Sequence, residues 1–161
     1  MSAVPIQLKG LTDREACMDT IYRLVQGLDD PSEELLQSAF TEDVVFDRTP
    51  ANAIGLEFDT IATRDKIVPE LFNNIGKPMD TLHQVTNIRV DVDGDKAHLT
   101  CSVLAQHFRA GEGHEPHKQD QLFMGNKLVG DLVRAEAGLW RIQKLVLYNQ
   151  WTTGTLDVFK H

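Results

Sequence analysis

The first half of the chain places apolar side chains at helical spacing. Apolar residues recur every three or four positions from 13 to 28, which predicts an amphipathic helix over that range. Thr12 and Glu15 have the spacing of a capping box, in which each side chain bonds the backbone N–H of the other residue. The same apolar spacing returns over 64–75, after Thr63 as the N-cap, and predicts another helix.

A short helix and a short strand are predicted between these two helices. Asp30 is a suitable N-cap, Pro31 suits the first helical position, and Glu33 completes a second capping box, so a helix is predicted to begin there. Residues 44–46 form a β-branched and aromatic run typical of a strand. Residues 48–62 contain Pro, Asn and Gly without a clear period and are predicted to be a loop.

After residue 80 the apolar period changes from helical to alternating. Four long strands are predicted, over 81–92, 96–109, 120–134 and 139–152. Asp93-Gly94 between the first two is a strong signal for a tight hairpin. Helices followed by hairpin-linked strands predict an α+β domain in which a cone-shaped, curved antiparallel sheet packs against three helices from the N-terminal half. Such a cone encloses an apolar cavity of the kind that binds small molecules.

The composition fits one globular domain. The chain has 161 residues, of which 42% are hydrophobic and 25% charged. We expect the domain to span 12–155, between an N-terminal arm over 1–11 and a C-terminal tail over 156–161. Cys17 and Cys101 lie at apolar-periodic positions, which favours two reduced core thiols over a disulfide, and no Cys/His cluster indicates a zinc site.

The charge of the chain narrows the classes of partner. Its formal net charge is −8 and its isoelectric point is about 5.1. The Lys and Arg residues are scattered and form no basic patch, so nucleic acid binding is not expected. The N-terminal sequence lacks a basic segment followed by an apolar run, and no apolar stretch reaches membrane-spanning length. We therefore expect a cytoplasmic protein that does not enter a membrane.

Two histidines fall on consecutive predicted strands. In the strand over 96–109 the odd positions are apolar, and His107 continues that apolar face. His83 gives mixed evidence, because the apolar residues from 88 onward have the opposite parity. A β-bulge between 83 and 88 would turn both sets of side chains inward.

These histidines and one aspartate are the candidate catalytic residues. An imidazole of near-neutral pKa beside a carboxylate is equipped to move protons. Asp29, at the end of the first helix, can supply the carboxylate by holding the His83 ring in one tautomer. The alternative roles are structural: His83 could bond a backbone carbonyl, His107 could be a satisfied core histidine, and Asp29 could begin a turn.

Further polar and aromatic side chains are candidates for the cavity lining. They are Asp47, Arg48, Asn87, Asn149 and Trp151. Asp47 and Arg48 could instead be solvated charges at a strand end. Trp151 could instead be a core or interface aromatic residue.

Several segments, taken in their order and spacing, are similar to a known family. They are Leu28-Asp-Asp30, Phe40–Phe46, His83–Asn87, Val92–Ala97, Leu104–Phe108, Asp131–Arg134, Gly138–Ile142 and Trp151–Gly154. Over about residues 10–155 the chain resembles SnoaL-like domains of the nuclear-transport-factor-2-like superfamily, near the scytalone dehydratases. That resemblance implies the cone fold, a cystatin-like α+β barrel, and it implies elimination of water from a small ketone inside the cone without a metal or organic cofactor. By segment order the two histidines of the family fall on His83 and His107, and its aspartate falls on Asp29.

The sequence also departs from that family at the implied substrate contacts. Two tyrosines of the family correspond to Leu28 and Arg48. A serine and an asparagine of the third long strand fall near Lys127 and Val129, with Asn126 offset, so Asn126 and Val129 join the cavity-lining candidates. Because the missing tyrosines would be the donors that polarise a substrate carbonyl, the substrate of the scytalone dehydratases is not expected to carry over.

Together these features predict a cofactor-independent lyase or isomerase that acts on a small, largely apolar molecule with a carbonyl group. Dehydration, polyketide cyclase-like aldol closure and double-bond migration all need such acid–base chemistry. The alternatives are a non-catalytic ligand-binding or assembly module, and a small subunit of a ring-hydroxylating oxygenase. Residues 122–124 and 145–147 are apolar on both strand faces, so we expect a homodimer through the sheet face. The substrate and the product are not specified by the sequence.

Overall fold

The computed structural model describes residues 5–55, 57–118 and 120–160. Residues 1–4 of the predicted arm, residue 161 of the predicted tail, and positions 56 and 119 lie outside the described residues. The helices are α1 (Asp13–Asp29), α2 (Glu33–Ala39) and α3 (Arg64–Leu71). The strands are β1 (Phe40–Asp47), β2 (Thr60–Ala62), β3 (Met79–Asp93), β4 (Lys96–Arg109), β5 (Leu122–Arg134) and β6 (Trp140–Gly154). Short 3₁₀ segments lie at Thr49–Ile54, Glu136–Gly138 and Leu156–Phe159.

The start of α1 is as predicted, whereas the start of α2 is not. The Glu15 amide donates to the Thr12 hydroxyl, and the Glu15 carboxylate accepts from the Thr12 amide, which completes the capping box. The N-cap of α2 is Ser32 rather than Asp30, and its hydroxyl accepts from the Leu35 amide. Asp30 is unavailable for that role because it is still the C-cap of α1, with its amide bonded to the Gln26 carbonyl.

The helix predicted over 64–75 is divided in two. Helix α3 ends at Leu71, and Phe72–Gly76 continues as a π-helical turn with a bond from the Lys77 amide to the Phe72 carbonyl. Thr63 precedes α3, but its side chain makes no cap hydrogen bond and its φ of 75° is left-handed. Thr63 is thus the N-cap by position, as predicted, and its carbonyl accepts from the Lys66 and Ile67 amides. Its backbone lacks the extended geometry typical of a side-chain N-cap, so the hydroxyl does not take part.

The six strands form one sheet in the order β2-β1-β6-β5-β4-β3. The four long strands are linked as antiparallel hairpins, as predicted. The sheet is nevertheless mixed rather than purely antiparallel, because β1 runs parallel to β6. Strand β2 lies inside the region predicted to be a loop and pairs with β1 at the sheet edge. Three residues are too few to show a strand period, which explains why this strand was missed.

The helices cover one face of the sheet and enclose the main core. Ile21 of α1 and Leu36 of α2 are fully buried in the same cluster as Leu99 and Ile142 of the sheet. Cys17 and Cys101 are buried free thiols of this core, as expected. Within the part of the chain that the structure describes, no helix has both the length and the apolar character needed to cross a bilayer.

A β-bulge in β3 turns His83 toward the helices. The register between β3 and β4 shifts between Thr86 and Arg89, and Asn87 in the bulge has a φ of 53°. The extra residue changes the parity of the strand, so His83 and Val90 both point to the core side. This confirms the bulge that the conflict of apolar parities predicted.

The segment that follows β6 packs against the sheet beside the cavity. Leu156–Phe159, within the segment set apart above as a tail, forms a 3₁₀ helix. Val158 is fully buried in a small cluster with Met79, Leu122 and Met124. Phe159 lies beside the cavity described next.

Candidate active site

The cone encloses an apolar cavity of about 120 Å³ between α1 and the sheet. Four lining residues carry polar side chains: Arg48, His83, His107 and Asn126. The others are Leu24, Val25, Leu28, Phe46, Phe58, Leu71, Ile75, Val103, Ala105, Met124, Leu128, Leu145, Leu147 and Phe159. An apolar chamber with a few polar groups is the usual form of a small-molecule site.

His83 is held from one side by Asp29. The Nδ1 atom of His83 lies 2.6 Å from one carboxylate oxygen of Asp29, and the His83 backbone amide donates to the other oxygen over 2.9 Å. The Thr81 hydroxyl donates to the same carboxylate over 2.7 Å. The helix end therefore supplies a carboxylate that both the strand backbone and the imidazole contact, and these contacts fix its orientation.

The contacts of Asp29 keep its carboxylate ionised. Burial by itself raises the pKa of this carboxyl, but the hydrogen bonds and charge of His83, with the hydrogen bond from Thr81, outweigh burial and lower the pKa below its usual value. An ionised carboxylate can only accept hydrogen bonds, so the proton between Asp29 and His83 sits on Nδ1. In the neutral form of the His83 ring the lone pair is then on Nε2, which is the nitrogen that a general base would use.

His107 lies next to His83 in a more enclosed position. The two ring centroids are 5.5 Å apart and the rings are nearly perpendicular, and Phe159 stacks obliquely on His107 at 5.6 Å. His107 is 3% exposed, and its Nδ1 has no hydrogen-bond partner among the described residues. Burial, aided by the neighbouring charge of His83, lowers the pKa of His107 to about 4. At neutral pH its ring is uncharged, with one N–H donor and one acceptor nitrogen.

Asn126 and Asn149 form a linked pair of amides on β5 and β6. The side-chain amide of Asn149 donates to the Asn126 side-chain oxygen over 2.9 Å. Asn126 lines the cavity, whereas Asn149 reaches the site through Asn126. The pairing leaves the Asn126 amide nitrogen as a donor for a ligand.

Arg48 follows β1 and lines the cavity. Its Nη1 lies 3.3 Å from a Glu70 carboxylate oxygen, and its Nε lies 3.4 Å from the Asp59 carbonyl oxygen. The guanidinium also lies over the Phe58 ring, 5.3 Å from its centroid. The side chain is 12% exposed, so it is a largely buried cation rather than a solvated one.

Besides Asn149, four of the sequence candidates for the cavity lining lie outside the cavity: Asp47, Asn87, Val129 and Trp151. The Asp47 carboxylate is bonded to Thr49 and Thr60, and these bonds, chiefly those from Thr49, lower its pKa. Asn87 is exposed at the bulge. The lining residues Asn126 and Leu128 place Val129 on the opposite face of β5.

Trp151 also lies on the outer face, away from the cavity. Its indole covers Gly125, where an added Cβ would come within 2.2 Å of it, and it meets the Phe123 ring at 5.1 Å. Trp151 is 44% exposed. It therefore belongs to a surface rather than to the site.

Sequence reasoning missed several lining residues. Val103 and Ala105 share the face of His107 and could have been assigned from strand parity. Phe58 and Phe159 carried no comparable signal, because they lie in segments without a regular period.

The comparisons with known proteins agree with this architecture. Residues 9–146 match the model of the SnoaL-like domain. The chain is 38% identical over 160 residues to terrestric acid biosynthesis cluster protein E of Penicillium crustosum. The matched region covers 98% of this chain and 96% of that protein.

Solved structures show the same fold at lower identity. A scytalone dehydratase-like protein of Novosphingobium aromaticivorans superposes with a TM-score of 0.71 and 22% identity, covering 88% of this chain and 86% of that chain. Hexachlorocyclohexane dehydrochlorinase LinA-type3 of Novosphingobium barchaimii superposes with a TM-score of 0.69 and 20% identity, covering 90% of this chain and 91% of that chain. Given the match over most of its length, the chain belongs to the SnoaL-like domain family.

Proposed function

We propose that this protein is a cofactor-independent lyase or isomerase that removes a proton next to a carbonyl group of a small, largely apolar molecule. The observation that carries the proposal is the His83–Asp29 pair at the wall of an apolar cavity, with His107 beside it. A buried imidazole oriented by a carboxylate is suited to general base catalysis near neutral pH.

The proposed reaction starts with transfer of the α proton to Nε2 of His83. The electrons of the broken C–H bond move into the carbonyl, which becomes an enolate. Asp29 stabilises the resulting imidazolium through the bond to Nδ1. His107 is uncharged, so it does not act as a cationic acid. Its part is to donate its N–H to the enolate oxygen or the leaving oxygen, in exchange for the backbone hydrogen bond at Leu122.

The second step returns the proton from His83. In an elimination the enolate expels a β-leaving group, and His83 protonates the leaving oxygen. In an isomerisation the proton goes to a carbon further along the conjugated system. In both cases the base is restored without an external reductant or oxidant, which agrees with a site built from acid–base side chains alone.

The names of the relatives support the same class of chemistry. A dehydratase and a dehydrochlorinase are both named for eliminations, and the fungal relative is named for a biosynthetic gene cluster of a small molecule. Dehydration is therefore the form of the reaction that we favour for this chain.

The proposal is tested by proton exchange, which needs no knowledge of the natural substrate. Phenylacetone, a single-ring ketone with acidic α protons, is incubated with the protein in D₂O and followed by proton NMR. We expect the wild-type protein to accelerate exchange, and His83→Gln to lose about 100-fold or more of that acceleration. The matched control is His98→Gln, which breaks another histidine–aspartate pair on the surface. Exchange that is equally fast in wild type and His83→Gln would remove His83 from the mechanism.

We also propose a homodimer through the outer face of the sheet. Leu82, Tyr148 and Trp151 are exposed by 40% or more on that face, and they form an apolar surface that a second copy would cover. Sedimentation is expected to give a dimer for the wild-type protein and a monomer for Leu82→Asp. Leu11→Asp changes an exposed leucine outside the sheet and should remain dimeric. A wild-type monomer at micromolar concentration would refute the proposal.

A further inference from the structure

Arg48 gives the cavity a permanent positive charge on one wall. Among the described lining residues there is no Asp or Glu, and the other polar groups are two imidazoles and an amide. The whole chain carries a net charge of −8, so its overall field repels an anion. The wall at Arg48 is therefore the place in the cavity where a negative group would be favoured.

The hydrogen bonds of Arg48 are incomplete. A guanidinium has five N–H donors in a planar fork. The contacts with Glu70 and the Asp59 carbonyl, at 3.3 and 3.4 Å, lie at the long end of the hydrogen-bond range and engage Nη1 and Nε. No described residue accepts a hydrogen bond from Nη2. Nη2 is not among the fully buried side-chain atoms that lack a partner, so it is accessible to an additional acceptor.

Arg48 and His83 lie on different parts of the cavity wall. Arg48 follows β1, whereas His83 is on β3, and β6, β5 and β4 lie between those strands in the sheet. A molecule that reaches both would present one end to the cation and the other to the base. Apolar side chains from β4, β5 and β6 line the floor between them, such as Val103, Leu128 and Leu145.

We propose that Arg48 binds a carboxylate of the substrate, so that the substrate is an apolar organic acid held by its acidic end. The inference rests on the proposed function for the position of the reacting carbon, which lies at the far end near His83. The binding itself needs no catalysis. A planar guanidinium matches the two oxygens of a carboxylate, and such charge-assisted bonds are stronger than those between neutral groups.

The experiment compares benzoate with benzamide, which have the same shape and differ in charge. The cavity volume of about 120 Å³ is close to the roughly 150 Å³ of a cavity that accepts benzene, so a single-ring probe is appropriate. Dissociation constants are measured at pH 7 by ligand-observed NMR titration. We expect wild type to bind benzoate at least about tenfold more tightly than benzamide.

The variants assign that preference to one side chain. Arg48→Met should bind the two probes equally, with benzamide affinity unchanged, and Arg48→Lys should keep part of the preference for benzoate. Arg64→Met is the matched control, because Arg64 also lies 3.3 Å from one glutamate but does not line the cavity, and it should bind as wild type does. Thermal unfolding of each variant checks that it is folded.

The results also separate this inference from the proposed catalytic role. His83→Gln should still prefer benzoate even though it loses proton exchange. A preference for benzoate that survives in Arg48→Met but is lost in His83→Gln would assign the anion to the imidazole and overturn the inference. Wild type that does not prefer benzoate, or an Arg48→Met variant that weakens both probes equally, would overturn it as well.

Discussion

The described part of the molecule contains two histidine–aspartate pairs with nearly the same local geometry and very different surroundings. In His83–Asp29 the Nδ1 to carboxylate distance is 2.6 Å, and in His98–Asp131 it is 2.7 Å. The side chains of the first pair are 8% and 15% exposed, whereas those of the second are 55% and 54% exposed. A short contact between an imidazole and a carboxylate therefore does not by itself distinguish a candidate catalytic pair from a surface ion pair.

The difference between the pairs lies in how each aspartate is held. Asp29 ends a helix and meets β3 from the side, and it accepts bonds from a backbone amide and a threonine as well as from the imidazole. Asp131 stands directly opposite His98 on the neighbouring strand of the outer face. A charge pair in water is weakened by the high dielectric constant and by salt, whereas an enclosed pair keeps more of its interaction. Enclosure and added hydrogen-bond donors are thus what make His83–Asp29, the inner pair, better suited to catalysis than His98–Asp131, the outer pair.

The largest expected effect comes from removing the charge of each aspartate in turn. Asp29→Asn keeps the shape of the side chain but removes the charge that stabilises the His83 imidazolium and holds its tautomer. We expect the rate of phenylacetone exchange to fall by roughly 10²- to 10⁴-fold. Asp131→Asn makes the same chemical change in the outer pair and should leave the rate unchanged. Comparable losses in the two variants would show that the proposed distinction between the pairs is mistaken.

The second expected effect concerns His107, which adjoins the inner pair and is deeply buried. Its folded-state pKa of about 4 lies below the unfolded value of about 6.5. Between these two pH values the unfolded chain binds a proton that the folded protein does not, so stability falls as pH decreases from about 6.5 to about 4. The full loss is on the order of 3 kcal/mol in the free energy of unfolding, and above pH 6.5 this contribution disappears.

Urea unfolding at a series of pH values measures that loss. His107→Gln should be less sensitive to pH over this window than wild type, because it lacks the titrating ring. His98→Gln also removes one histidine and serves as the control for the change in composition. The lowered pKa of Asp29 affects stability at lower pH. A carboxyl group whose pKa is lowered by folding stabilises the folded state at pH values above its unfolded-state pKa. That stabilisation is lost as the pH falls through its folded-state pKa. If His107→Gln kept the full wild-type slope, the assignment of the loss to His107 would fail.

The sequence was most informative where apolar residues alternated regularly along a strand, or where that alternation changed parity within a strand. Alternation placed His107 on the inner face of β4, and the mismatch of apolar parities after His83 required a bulge that the structure contains. Parity also held information that was not used: Asn126 and Val129 are three residues apart in a regular stretch of strand, so both cannot face the cavity.

Other features left no local trace in the sequence. Asn149 and Trp151 have the same parity, yet they lie on opposite faces because the register of β5 and β6 shifts between Gly125 and Asn126. No conflict of apolar residues signals that shift, in contrast to the one after His83. The parallel pairing of β1 with β6 joins strands that are far apart in the chain, and no turn residue encodes it. Arg48 could be named as a candidate, but its position in an apolar wall became evident only from the fold.

The smallest expected effect is the energetic coupling within the outer pair. A double-mutant cycle with His98→Gln and Asp131→Asn, measured by urea unfolding at pH 7, should give a coupling free energy of less than about 1 kcal/mol, because both side chains are more than half exposed. The same cycle with His83→Gln and Asp29→Asn should give a larger coupling free energy, since replacing either residue leaves its partner buried without the original hydrogen bond. Raising the salt concentration should weaken the outer coupling more than the inner one. Equal couplings with equal salt dependence would mean that enclosure does not strengthen the inner pair, and the physical basis for treating His83 and Asp29 as a catalytic unit would be lost.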